Sequence, residues 1–378
     1  RHFHGDLFPI AEGTTYNSYL IVDEQVTLID TVEEEFYDTM MERIRSVIGE
    51  RTIDNVIVQH AEPDHSGGFL KFMKDYPNAR PYASNAGVGI MLKQYFKSYD
   101  FQRVKTGDTL STGRYTLTFV EMPMIHWPDN MLTYVAEQKI AFTNDAFGQH
   151  IASYDIFDDA HGAAKCIDRA KDYYANIVMP YGMQVANKLK QIQDMNLDID
   201  MIAPAHGIIW RSYLPELFQA YEDFATFKAV DKAVIVYESV WKHTQMMAEA
   251  LAEGMGRNGI CVKIFKCSMT SPAIIQKELL DAKAVLVGSG NYNNAMAGSI
   301  AAFLEKLITC KVKNKKGLGF GSYGWANLVT KEINARLEKA GITLLNDEVV
   351  SQNYTPSEAD LDALMELGKQ IAEEIKAM

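Results

Sequence analysis

The sequence predicts a two-domain α/β protein: mixed strands and helices over residues 1–228, then a doubly wound parallel sheet over 229–378. Three observations carry this. The 378 residues exceed one ordinary core and suit two domains of about 100–200 residues each. Composition shifts after Trp210, and from Asp231 onward strands and helices alternate regularly.

Tyr16–Val22 and Val26–Asp30 read as a hairpin around Asp23-Glu24-Gln25. A helix follows over about 34–47, then an apolar strand at 55–59. Further strands are expected at 115–120, 131–135 and 140–142, helices at 163–177 and 183–195, and a last strand at 200–204. Pro215 to Phe227 reads as a polar-aromatic connecting helix. Beyond it, five strands are expected at 233–237, 261–265, 284–288, 317–321 and 343–345, with helices between them and a final helix over 357–377.

Composition excludes several function classes. Lys and Arg number 37 against 49 Asp and Glu, a net charge of −12, which opposes nucleic-acid binding because that needs a basic face. No apolar run reaches the ~18–20 residues of a membrane span. The opening Arg1-His2-Phe3-His4 has neither a signal core nor an initiator Met, so a few leading residues are expected to be missing. Cys166, Cys261, Cys267 and Cys310 form no C-x-x-C pair; they are expected to be small buried hydrophobes in a reducing, cytoplasmic compartment.

The chemistry concentrates after the apolar strand Val56-Ile57-Val58. There His60-Ala61-Glu62-Pro63-Asp64-His65 packs four potential ligands into six residues. In an extended segment i, i+2 and i+4 share a face, and a turn brings the ligand at i+5 around. His126, Asp145 and His206 follow at later strand ends, where a rigid scaffold presents reactive groups. Four imidazoles and three carboxylates suit two metals, with one carboxylate serving both ions. His2, His4, His150, His161 and His243 lack such company, and structural or solvated roles are expected for His150 and His161.

The second domain carries a different constellation. Strand Val234–Tyr237 runs into Ser239, Val240, Trp241, Lys242, His243 and Thr244, opening a helix with Met247, Leu251 and Met255 on one stripe. A hydroxyl-rich loop at a helix start presents N–H groups to a phosphate. Two more loops follow later strands: Ser289, Gly290, Asn291, Tyr292 and Asn293, then Ser322, Tyr323, Gly324 and Trp325. Ligands of doubly wound sheets sit beyond the strands' carboxyl ends, and Gly/Ser/aromatic loops there suit a flat isoalloxazine. Tyr323 or Trp325 would stack on it. Gly254-Met255-Gly256-Arg257-Asn258-Gly259 matches the dinucleotide fingerprint, but after a helix and before a strand, so it reads as a helix stop rather than an NAD site. The run Lys311, Lys313, Lys315, Lys316 reads as a solvated loop, with docking of an acidic electron carrier as the sharper option.

H-x-[EH]-x-D-H with a distant His, Asp and His resembles the metallo-β-lactamase fold, an αββα sandwich. Glu62 in place of the second His, with His126-Trp127-Pro128-Asp129 and Asn144-Asp145-Ala146-Phe147-Gly148, is similar to the flavodiiron proteins across the whole chain. The loop after the first strand of the second domain resembles the flavodoxin phosphate loop, with Lys242 where Gly is common; this implies FMN on a sheet of order 2-1-3-4-5, and Trp325 as the stacking residue. The resemblance implies that His60, Glu62 and His126 hold one iron, and that Asp64, His65 and His206 hold the other, with Asp145 bridging. A carboxylate in place of an imidazole suits iron cycling between ferrous and ferric.

The resemblance further implies reduction of O2 to water, of NO to N2O, or both. Dioxygen needs four electrons, the number held by a diferrous centre and fully reduced FMN together. It also implies a head-to-tail homodimer, or a dimer of dimers, that places one subunit's FMN by the other's irons. The chain stops at Met378 without an appended carrier module, which implies a separate rubredoxin-like donor. Two other readings compete: a zinc-dependent hydrolase with a regulatory flavodoxin-like domain, opposed by Glu62, and a non-catalytic electron carrier.

Overall fold

The structure, a computed structural model, describes residues 2–3, 8–346 and 348–378; His4 lies outside them. The chain forms two compact units, Arg1–Tyr174 with Met183–Glu222, and Ala175–Gly182 with Asp223–Met378.

The first unit opens with a short pair, β1 (His2–Phe3) and β2 (Phe8–Pro9), then β3 (Tyr19–Val22) and β4 (Val26–Ile29). Next come α1 (Tyr37–Ile48), β5 (Asn55–Val58), α2 (Pro63–Ser66), α3 (Phe69–Asp75), β6 (Arg80–Ser84), α4 (Asn85–Tyr95) and β7 (Gln102–Val104). A second run holds β8 (Thr109–Ser111), β9 (Thr116–Glu121), β10 (Met131–Val135), β11 (Ile140–Asn144), α5 (Ala163–Tyr173), α6 (Gly182–Asp194), β12 (Met201–Pro204) and α7 (Leu214–Ala225).

Two five-stranded sheets result, ordered β3-β4-β5-β6-β7 and β12-β11-β10-β9-β8. Ile29, Ile57, Tyr82, Leu117, Phe119, Met131 and Phe142 fill the space between them. On the other face of the first sheet, Leu28, Val56 and Val58 pack with Met41 and Ile44 of α1 and Phe69 and Phe72 of α3. Strand β5 is buried at every position because it is central and covered on both faces, which is why it reads as a continuous apolar run.

The region from Phe69 to Ser111 was the least legible stretch. Its short strands at 80–84, 102–104 and 109–111 carry polar residues at exposed or edge positions and show no clean period-2 pattern. Helix α7 does more than connect. Leu217 and Tyr221 are fully buried, and Tyr221 packs on Phe147 with ring centroids 4.5 Å apart. The helix expected over 163–177 leaves α-geometry at Tyr173 and continues as a π-helical turn over Tyr174–Val178.

The second unit follows β13 (Val230–Glu238), α8 (His243–Arg257), β14 (Cys261–Lys266), α9 (Pro272–Leu280), β15 (Ala282–Ser289), α10 (Gly298–Cys310), β16 (Lys316–Tyr323), α11 (Val329–Lys339), β17 (Thr343–Leu344), β18 (Val350–Asn353) and α12 (Glu358–Lys376). The parallel order β14-β13-β15-β16-β17 is the expected 2-1-3-4-5. The last position is shared, since β17 and the unanticipated β18 both pair with β16.

Two expectations need correction. Cys166 and Cys310 are buried, but Cys261 is exposed because β14 is an edge strand, and Cys267 is half-buried. The basic run is not one solvated loop: Lys311 and Lys313 are exposed, but Lys315 is buried and donates to the carbonyls of Leu280 and Ala282 at 3.2 and 2.8 Å. Lys316 pairs with Glu374. The run also starts β16, whose other end, Tyr323, reaches the flavin loops roughly 25 Å away at ~3.3 Å per residue. That distance removes its appeal as an electron-carrier dock.

Of the dinucleotide-like glycines, Gly254 has a packing role. A Cβ on Gly254 would sit 2.0 Å from the carbonyl oxygen of Met365 on α12, whereas one on Gly256 would meet nothing within 4 Å. Gly254→Ala should therefore destabilise the second unit by about 1–3 kcal/mol through overpacking. Gly256→Ala, in an open helical position, should be neutral or stabilising by up to about 1 kcal/mol. Denaturant unfolding of both variants checks the pair; equal effects would refute the packing account.

Candidate functional site

The first unit's ligands arrive on four strand ends. His60 leaves β5 with Glu62 in extended geometry, and Pro63 then opens the helical turn α2. That turn begins earlier than a simple alternation requires: His60 and Glu62 face one way, while Asp64 joins His65 on the other. His126 lies between β9 and β10, Asp145 follows β11, and His206 follows β12.

All seven residues converge. Glu62 Oε2 lies 3.2 Å from Nε2 of His60 and 3.2 Å from Nε2 of His126. Asp64 lies 3.3 Å from Nε2 of His65 and 3.2 Å from Nε2 of His206. Asp145 divides its oxygens between these groups. Its Oδ2 is 3.4 and 3.3 Å from His60 and His126; its Oδ1 is 3.1 and 3.3 Å from His65 and His206.

Within each set, His60/Glu62/His126/Asp145 and Asp64/His65/His206, the ligand atoms lie within 4.8 Å of one another. Ions bound at about 2 Å require such spacing. Both Asp64 oxygens, Asp145 Oδ2 and His65 Nε2 are buried and make no hydrogen bond, a heavy cost unless a cation sits among them. The residues fit a two-metal centre.

Their surroundings fix them. His206 Nδ1 donates to the carbonyl of Thr15 at 2.7 Å, and Thr15 Oγ1 accepts from the Gly207 amide at 2.6 Å. Asn17 Nδ2 donates to the carbonyls of Pro204 and Gly207, each at 2.9 Å. Gly207 has φ +85°, and a Cβ there would lie 1.5 Å from Gln149 Oε1, so only glycine lets the chain turn after His206. The Tyr173 hydroxyl donates to Asp145 Oδ1 at 3.0 Å, and the Asp145 amide donates to Asn144 Oδ1 at 2.8 Å. His150 is buried against Thr14 Oγ1 at 3.2 Å, and His161 lies 2.8 Å from the carbonyl of Asp155, as structural roles require.

Electrostatics follow the same division. Burial alone would raise the Asp145 carboxyl, but His65, His126 and His206 hold it well below the usual range. Burial likewise opposes charging of His126 and His206. The Asp145 and Glu62 carboxylates nevertheless lift His126 to about 9, and Asp145 with Asp64 lifts His206 to about 10. Without metal, protons on these imidazoles neutralise the carboxylates.

In the second unit a cavity of about 340 Å3, within the usual range of ligand sites, opens at the carboxyl ends of β13, β15 and β16. Ser239, Val240, Trp241, His243, Thr244, Gly290, Asn291, Tyr292, Ser322, Tyr323, Gly324 and Trp325 line it. Thr244 and Ser322 share a 2.9 Å hydroxyl contact there, and Trp241 and Trp325 stand 80% and 89% exposed at its edge.

Lys242, Ser289 and Asn293 do not line it. Ser289 turns inward, accepting from the Ala297 amide at 3.0 Å, while Lys242 adopts φ +67°, the geometry glycine more often supplies, and projects into solvent. Tyr354, a lining residue absent from the sequence reading, follows β18, whose Val-Ser-Gln-Asn gave no strand signal. Hydroxyls, backbone amides and flat aromatics around an open slot fit a flavin nucleotide.

The two modules match known families: residues 14–207 match the ODP family beta lactamase, and residues 235–368 match flavodoxin. The chain is 41% identical to a nitric oxide reductase from Moorella thermoacetica, over 99% of this chain and 94% of that protein. It is 36% identical to an anaerobic nitric oxide reductase flavorubredoxin from Vibrio vulnificus, over 98% and 76%. Its fold superposes on rubredoxin oxygen:oxidoreductase from Desulfovibrio gigas with a TM-score of 0.96 and 34% identity, covering 100% of this chain and 94% of the other. Fold and sites together define a flavin-linked, two-metal oxidoreductase. The chain belongs to the flavodiiron protein family, whose cofactors are FMN in the flavodoxin module and a non-haem diiron centre in the lactamase-like module.

Metal loading must displace the protons that His126 and His206 carry below about 9 and 10. Ferrous ion added anaerobically to metal-free protein at pH 8 should therefore release protons, and less should be released as pH rises past 10. A pH-indicator titration measures this; proton-neutral loading at pH 8 would contradict the assigned charge states.

Proposed function

We propose that this chain reduces nitric oxide, dioxygen or both at a diiron centre held by seven side chains. His60, Glu62 and His126 would hold one iron, Asp64, His65 and His206 the other, and Asp145 would serve both. The single observation that carries this is the division of the two Asp145 oxygens between the two ligand groups. With iron and FMN bound, the protein would combine one-electron metal redox chemistry with a two-electron store.

The chain's own residues do the rest. Thr15 and Asp129 orient His206 and His60, and Tyr173 fixes one Asp145 oxygen. Amides at the start of α8 would hold the FMN phosphate, with the Thr244 hydroxyl beside them, and Trp241, Tyr323 and Trp325, which line the cavity, would border the ring, with Trp325 stacking on it. In this reading residues 1–228 form the catalytic domain and 229–378 the flavin domain.

A rubredoxin-like protein is the electron donor, as the names of the Desulfovibrio and Vibrio relatives suggest. A head-to-tail homodimer, or a dimer of such dimers, brings each FMN to the partner's metal centre. The protein acts in the cytoplasm; among the described residues no helix is long and apolar enough to cross a membrane. The family match and Glu62 disfavour the zinc-hydrolase alternative.

Asp145→Ala should leave photoreduction of FMN intact while consumption of both gases collapses by at least about 100-fold, the cost of losing a group that shapes the reacting centre. Gas electrodes and flavin absorbance read the two halves separately. Unchanged gas turnover would leave the first domain a scaffold. Elemental analysis after anaerobic expression with iron supplied should give two irons per subunit, whereas stoichiometric zinc without iron would restore the hydrolase reading. Sedimentation analysis checks the dimer.

A further inference from the structure

The two ligand sets are equal in charge and type: each has two imidazoles, one carboxylate and one oxygen of Asp145. With charge and ligand type matched, what the ligands touch next becomes a source of difference between the metal positions. On the His60 side that partner is charged. Asp129 is buried, and both its oxygens lie 3.2 Å from His60 Nδ1. It is locked there by the Ala61 amide, which donates to Oδ2 at 2.7 Å, and by Ser84 Oγ, which donates to its carbonyl at 2.9 Å. The Trp127 ring closes the other edge of His60 at 5.0 Å between centroids.

On the other side no imidazole Nδ1 meets a carboxylate: the buried Asp30 carboxyl acts on His65 only through space and spends its oxygens on Gln59 and Asn144. His206 Nδ1 meets the Thr15 carbonyl at 2.7 Å, and His65 Nδ1 is buried without a hydrogen-bond partner among the described residues. Tyr173 also donates to the Asp145 oxygen that faces this group, drawing electron density from it. Both effects point the same way. A carboxylate behind an imidazole raises its basicity and favours the more highly charged metal, while a hydroxyl donating to a ligand oxygen does the reverse.

We propose that Asp129 is a positioning residue that makes the two irons inequivalent, giving the iron held by His60, Glu62 and His126 the lower reduction potential of the pair. In the half-reduced centre the ferric ion then resides at that position and the ferrous ion at the Asp64/His65/His206 position. The inference rests on the seven-ligand reading above and adds to it a direction for the redox asymmetry.

The test replaces charge while keeping shape. In anaerobic potentiometric titrations of the full-length holoprotein, followed by electron paramagnetic resonance, Asp129→Asn should retain two irons per subunit. It should shift one iron step upward and leave the FMN steps in place. Tyr173→Phe should shift the other iron step downward, narrowing the same gap from the opposite side. Unmoved iron steps in a fully loaded Asp129→Asn protein, or an equal shift of the FMN steps, would overturn the proposal. Should Asp129→Asn lose iron, Asp129→Glu decides: restored loading with a near-original iron potential supports a role for the charge, and continued loss overturns it. Zinc found throughout in place of iron would sink the diiron reading itself, a result distinct from either.

Discussion

One buried carboxylate organises the first domain. Asp145 is 1% exposed, and its two oxygens face different sets of imidazoles about 3.1–3.4 Å away. Concentrating three acids and four histidines in a dry pocket carries a large desolvation penalty unless cations complete the balance. The fold holds this arrangement because the ligands sit on strand ends of two sheets whose facing sides are packed with Ile57, Phe119, Met131 and Phe142. Loops rooted in such a core have little freedom to relax away from one another.

Much of this was legible in the residues. The four-ligand segment after β5 announces itself by density, and the Gly/Ser/aromatic loops announce the flavin cleft because close approach and stacking need those residue types. The alternation of strands after Asp231 gave the sheet order through its resemblance to flavodoxin. Less visible were features that depend on where the chain turns. Asp64 joins the second ligand group, as the family resemblance implies, because Pro63 starts a helical turn that alternation along the segment alone does not anticipate.

Supporting residues were hidden for a different reason. Thr15, Asn17, Asp129 and Tyr173 are remote in sequence from the ligands they hold, and the hydrogen bonds of Thr15 and Asn17 to the His206 loop span 187 to 192 positions. Nothing local marks them. Asp129 stood in a quoted motif without a role, and Tyr354 reached the flavin cleft from a strand too polar to recognise. Exposure of Cys261 likewise follows from its edge strand, and burial of Lys315 from the Leu280 and Ala282 carbonyls that its ammonium reaches, rather than from residue type.

The two outermost histidine contacts differ in one further respect. His60 leans on a side chain, while His206 leans on the main-chain oxygen of residue 15. Every amino acid supplies that oxygen, so no single codon change can delete it. Over generations, drift has a handle on one imidazole and almost none on the other, and variation among descendants of this chain should accumulate on the side where heredity can reach.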